Sequence, residues 1–102
     1  MTFRLVVQRS AQQDVDGAVD YLAVKAPELV NRFVDDLEST FAGIAENPLL
    51  MPEFRPAVRA RAMTVFPYGV FYRVFVDLEL VEVFAVLHHR RGPEALARRV
   101  SD

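Results

Sequence analysis

Residues 70–87 read VFYRVFVDLELVEVFAVL, and their period of two decides the fold. Val70, Tyr72, Val74 and Val76 share one parity and Phe71, Arg73 and Phe75 the other. After Asp77-Leu78-Glu79, a connection short enough for a hairpin, Val81, Val83, Ala85 and Leu87 fall on one face and Leu80, Glu82, Phe84 and Val86 on its opposite. Upstream, a strand-like run from Arg59 to Phe66 meets the first of these through Pro67-Tyr68-Gly69. Three strands, 59–66, 70–76 and 80–87, are therefore expected as an antiparallel meander.

Phe3, Leu5 and Val7 alternate with polar neighbours, which predicts a short half-buried strand at the start. Ser10 and Gln13 stand in capping-box positions for a first helix, along which Val15, Ala18, Val19 and Leu22 recur at helical spacing. Pro27 turns the chain into a second helix bearing Val30, Phe33, Val34, Leu37, Phe41, Ile44 and Ala45 on one stripe, ended by Asn47-Pro48. Three prolines between 48 and 56 predict an extended, stiff connector. Residues 93–102 form a helix-compatible tail free to fray. The expected class is α+β, ordered β-α-α-β-β-β, with both helices on one face of the sheet.

That arrangement leaves a face over. Two helices cover one side of a small sheet, yet both parities of the last two strands are apolar. If Phe71, Phe75 and Phe84 were exposed, the patch would approach roughly 450 Å², the size at which exposed apolar area implies a partner. Arg73 and Glu82 would supply its polar rim. The alternative is that the connector or the tail folds over this face.

With 102 residues, 52% hydrophobic and 25% charged, the chain is expected to form one globular domain over 1–102. It has no cysteine, so disulfides, thiol nucleophiles and thiolate metal centres are excluded, and with two histidines neither a metal nor a cofactor is implied. No apolar run is long enough for a membrane span and the start does not read as a signal peptide, so the expected location is the cytoplasm. The net charge of −2 conceals an asymmetry. Residues 1–50 carry four basic and eight acidic side chains, whereas residues 51–102 carry eight basic, all arginine, and six acidic. Arginine's fork suits carboxylate and phosphate alike.

His88-His89-Arg90-Arg91 is the one dense polar constellation. Cleavage of RNA through its own 2′-hydroxyl needs a base, an acid and cations for the phosphate, roles open to histidine and arginine. Neighbouring strand residues point to opposite faces, so His88 and His89 address one phosphate only if the strand ends at His88. A strand-end histidine beside two solvated arginines is the plainer reading.

Taken in order, the helical hairpin Phe33…Leu37…Phe41…Ile44 into Asn47-Pro48, the strand Val58-Arg59-Ala60-Arg61, the run Pro67-Tyr68-Gly69-Val70-Phe71-Tyr72-Arg73-Val74 and the strand ending Leu87-His88-His89-Arg90-Arg91 resemble the RelE/ParE superfamily of toxins from type II toxin–antitoxin systems. The likeness spans about Phe3 to Pro93. It implies a toxin neutralised in a hetero-oligomer by a cognate, ParD-like antitoxin, which itself carries the operator-binding part, so that this chain need not bind DNA. RelE-like members cleave messenger RNA on the ribosome, and ParE-like members poison DNA gyrase. The RelE-like pattern has lysines where this chain has Arg59 and Arg61, an arginine near Gly69, an arginine matched by Arg91, and a tyrosine near Ala97. Half of that set is missing, so the resemblance is stronger to ParE, with no catalytic residue implied. Arg59, Arg61, Arg90 and Arg91 are then the expected contacts to the target, and Phe71, Arg73, Phe75, Glu82 and Phe84 those to the antitoxin. The alternatives are a ribosome-dependent endoribonuclease using His88, His89 and Arg91, and a non-toxic module that retains only antitoxin binding.

Overall fold

The structure, a computed structural model, describes residues 2–100; the last two residues of the expected tail lie outside them. Arg4–Val7 forms β1, with Leu5 and Val7 turned inward. Helix α1, Arg9–Lys25, follows, and Pro27 opens a single 3-10 turn that reverses the chain into α2, Val30–Glu46. After Asn47-Pro48 the chain builds β2 (Arg59–Ala62), β3 (Tyr68–Phe75), β4 (Leu80–His88) and a last helix, α3 (Gly92–Val100). The sheet order is β1-β4-β3-β2, with β1 parallel to β4 and the other pairs antiparallel. The β-α-α-β-β-β order and the α+β class are those expected.

Helices α1 and α2 cover one face, where Phe33, Leu37 and Ile44 meet Val70, Tyr72, Val81, Val83 and Val86. The opposite face is covered too. Ala95 and Leu96 of α3 pack with Val58 against Phe84, Ala85 and Leu87, and Phe54 of the connector sets its ring 6.1 Å from that of Phe71. Burial from both sides explains why β4 is apolar at almost every position. The connector is a series of turns instead of an extended crossing, closed by an Arg55–Val58 bridge. Ala57 there takes the left-handed φ of 63°, and its N–H donates to Glu53 Oε1 at 2.9 Å.

Three local expectations are corrected, each by a long-range hydrogen bond or pairing. Strand β2 stops at Ala62 instead of Phe66, because the buried Asp36 of α2 draws the next backbone away from the ladder. Its carboxylate accepts the N–H groups of Thr64, Val65 and Phe66 at 3.1, 2.8 and 2.9 Å. Ser10 does not cap α1: the helix begins at Arg9, and the Ser10 hydroxyl donates to Phe84 O at 3.0 Å.

The third correction concerns β4. Phe71 pairs with Ala85 but Tyr72 pairs with Val83, which leaves Phe84 as the extra residue of a β-bulge. Val83 and Val86 consequently face the two-helix core, while Phe84, Ala85 and Leu87 face α3. Strict alternation had placed Ala85 and Leu87 with Val83. The bulge inverts the parity of everything after it, including the strand end.

Asp36→Ala is expected to lower the unfolding free energy by about 3 kcal/mol, since three backbone donors lose a charged acceptor. Asp36→Asn, which retains one acceptor oxygen, should lose less. Urea denaturation of the two variants beside the parent checks both the size and the order.

Candidate functional site

The bulge carries His88 onto the α1 side of the sheet, opposite its cross-strand neighbour Tyr68. The two rings meet edge to face at 5.1 Å, and Tyr68 packs in the same way on Phe33 at 5.3 Å. His88 Nδ1 accepts the backbone N–H of Arg90 at 3.0 Å, so the neutral ring carries its proton on Nε2. The chain then winds through a 3-10 turn, His89–Arg91, which brings Arg91 back beside His88. Together with Gly17 and Tyr21 of α1, these residues bound an open cleft of about 320 Å³, which Arg90 extends outward. Burial pushes the Tyr68 hydroxyl above its ordinary pKa of 10.0, the nearby Tyr21 adds to this, and Arg91 opposes it. Tyr68 therefore presents a proton donor across the neutral range.

Asp14 also borders the cleft, but its carboxylate is already occupied. Arg99 of α3 grips both oxygens, and Oδ2 additionally accepts the N–H of Val86 at 2.9 Å. Among the described residues, no three histidine, aspartate or glutamate side chains converge as a metal site.

The four arginines expected to meet a target separate into two kinds. Arg59 donates to Met51 O and lies 3.5 Å from Glu53, which commits it to holding the connector. Arg61 lies so close over Gly43 that a Cβ there would sit 2.9 Å from its Cζ. Arg90 and Arg91, by contrast, are exposed and form no ion pair with a described residue. His89 points away from His88, its Nε2 toward Gly69, so the two histidines do not converge.

The five residues expected at an antitoxin surface are likewise divided. Phe84 is only 2% exposed, Phe71 is half-buried under Phe54, and Phe75 is 41% exposed. An exposed patch of three phenylalanines is thus absent, because α3 and the connector occupy it. Arg73 lies over the Phe84 ring at 4.3 Å and 3.8 Å from Glu82. What remains open is the turn where Phe75 adjoins Val76 and Leu78, both exposed.

Tyr21, Tyr68 and Gly17 were not singled out by sequence reasoning. Tyr68 could have been found as the residue facing the strand end across the hairpin. Tyr21 and Gly17 reach the cleft only through the way α1 lies on β4.

Residues 5–93 match the family described as "ParE toxin of type II toxin-antitoxin system, parDE". The chain belongs to that family. As a ParE-family chain it is a toxin of a type II toxin–antitoxin system within the RelE/ParE superfamily. Its fold is similar to that of a chain of the chromosomal ParDE system from P. aeruginosa, with a TM-score of 0.73 at 20% identity, covering 85% of this chain and 96% of that one. It is similar also to a mutant of the E. coli toxin RelE in the free state, with a TM-score of 0.71 at 15% identity over 99% and 97% of the two chains. The toxin–antitoxin complex RelBE2 from Mycobacterium tuberculosis gives a TM-score of 0.61 at 17% identity, covering 87% of this chain and 100% of that one. No curated protein matches the sequence. Among the described residues of this ParE-family chain, no helix is long and apolar enough to cross a membrane.

Tyr68 and Tyr72 together generate a pH dependence. Burial is the leading cause that raises both hydroxyls, Tyr72 against the opposing charges of Arg59 and Arg61. A raised folded-state pKa means that the unfolded chain gives up the proton first. The stabilisation is present in full below about pH 10 and is lost as pH climbs through the folded-state values. Thermal melts between pH 9 and 11 should show a falling midpoint, and Tyr68→Phe should flatten that fall.

Proposed function

We propose that this toxin arrests growth in the ParE manner, by acting on DNA gyrase in the cytoplasm, and that a cognate antitoxin neutralises it in a hetero-oligomer. The observation that carries this reading is the fate of the positions at which RelE-like toxins are expected to hold their phosphate-binding set. Arg59 is committed to the connector, Arg61 is half-buried over Gly43, position 69 is glycine and position 97 is alanine. Arg91 is the exposed member of that set, and it borders a cleft. Arg90 and Arg91 are the contacts we assign to the target. For the antitoxin, the Arg73–Glu82 pair and Phe75 are the accessible part of the expected surface, whereas Phe71 and Phe84 become available only where α3 and the connector yield.

A second reading, ribosome-dependent cleavage of messenger RNA, draws on one observation. His88, Tyr68 and Arg91 share a cleft, where the His88 Nε2–H and the Tyr68 hydroxyl can hydrogen-bond phosphate oxygens beside the Arg91 charge. His89 points away and takes no part.

Induction of the chain alone should stop growth, and the purified chain should inhibit supercoiling by purified gyrase while messenger RNA stays intact. Loss of messenger RNA with unimpaired gyrase would favour the second reading; normal growth would leave a module that only binds antitoxin. Arg90→Ala together with Arg91→Ala should change stability by about 1 kcal/mol or less, since both side chains are exposed, yet should relieve growth arrest.

A further inference from the structure

We propose that the cleft between α1 and the end of β4 is a binding site for a nucleoside phosphate, with the phosphate on Arg91 and Arg90 and the base on the ring of Tyr21. The same two arginines serve the gyrase reading, but this assignment concerns the small anion that the cleft holds and is tested by binding without gyrase, so that either can fail alone.

Beside the amide of Gln13 and the carboxylate of Asp14, the polar groups that border the cleft can all donate. Tyr68 offers its hydroxyl, His88 offers Nε2–H, and Arg90 and Arg91 offer guanidinium groups without a protein counter-ion among the described residues. The Tyr68 hydroxyl stays protonated for the reasons given above. The one carboxylate at the wall among the described residues, Asp14, has both oxygens taken by Arg99 and the Val86 N–H, so it leaves the site cationic. Such a set calls for an oxyanion. Donors from β3, β4 and the turn after it suit the three terminal oxygens of a phosphate.

Two further features point to a ring attached to that anion. Tyr21 is 61% exposed at the rim, which leaves aromatic surface for a base to stack on. Gly17, one turn before it on α1, has nothing within 4 Å of where a Cβ would stand. Glycine is unfavourable inside a helix, and here its missing side chain keeps the cleft open. The volume of about 320 Å³ lies at the lower end for small-molecule sites.

The experiment is a titration of the purified full chain, followed by tyrosine fluorescence and amide shifts, with adenosine monophosphate, inorganic phosphate and a hexaglutamate peptide in parallel. Adenosine monophosphate should bind more tightly than inorganic phosphate. Arg91→Ala should weaken both by roughly tenfold. Tyr21→Ala should bring adenosine monophosphate down to the level of inorganic phosphate and leave the latter unchanged. Gly17→Leu should abolish binding of the nucleotide without lowering the melting temperature; if that variant unfolds, Tyr21→Ala, at an exposed position, carries the same test. The proposal is overturned if adenosine monophosphate binds no better than phosphate, or if Arg91→Ala leaves its binding unchanged. Tighter, Arg91-dependent binding of hexaglutamate would overturn it too, and would make the cleft a receptor for acidic peptide.

Discussion

Beyond Val83, β4 loses its neighbour, because β1 ends at Val7 and the last backbone bond between them runs from Gln8 N–H to Val83 O. Backbone groups left open on that edge would be costly inside a small domain. The protein closes the edge with side chains. Ser10 and Asp14, one turn apart on α1, take the carbonyl of Phe84 and the N–H of Val86, and Arg99 of α3 shares both the Phe84 carbonyl and the Asp14 carboxylate. A helix side chain thus does the work of a missing strand, and the same carboxylate anchors the C-terminal helix. The position of α1 on β4, the docking of α3 and the state of the cleft wall all depend on this junction.

The bulge at Phe84 belongs to the same junction. By setting Phe84 and Ala85 on one side and Val83 and Val86 on the other, it lets β4 feed two apolar layers. It also rotates the strand end, so that His88 joins Tyr68 and the α1 side while His89 turns toward Gly69. Without the extra residue, His88 would lie under α3 and the cleft would lack its histidine. Packing and site geometry therefore share one cause.

The arginines of the second half show why composition identifies a tendency and not a surface. Arg59, Arg61, Arg73 and Arg99 serve the fold, through the connector, Gly43, the Phe84 ring with Glu82, and Asp14 respectively. Arg90 and Arg91 are exposed and form no ion pair among the described residues. Sequence spacing marked Arg59, Arg61, Arg90 and Arg91 alike, because an arginine's partner is set by what the folded chain brings within reach of its long side chain.

Period-two and helical spacing, proline positions and hairpin-length connections were enough to determine the order of elements, the α+β class and the superfamily likeness, since each depends on residues close in the chain. The surplus apolar face was legible as well, but its cover was not. Ala95 and Leu96 have little local signal and become core only against Phe84 and Leu87. Tertiary structure alone decided the length of β2, through Asp36, the role of Ser10, the parity of β4 and the meeting of Tyr21 with Tyr68, His88 and Arg91. The β4 parity rests on a bulge in a hairpin, where Phe71 meets Ala85 but Tyr72 meets Val83, and others rest on hydrogen bonds 30 to 85 positions apart, where no local pattern of hydrophobicity records which partner a side chain will find.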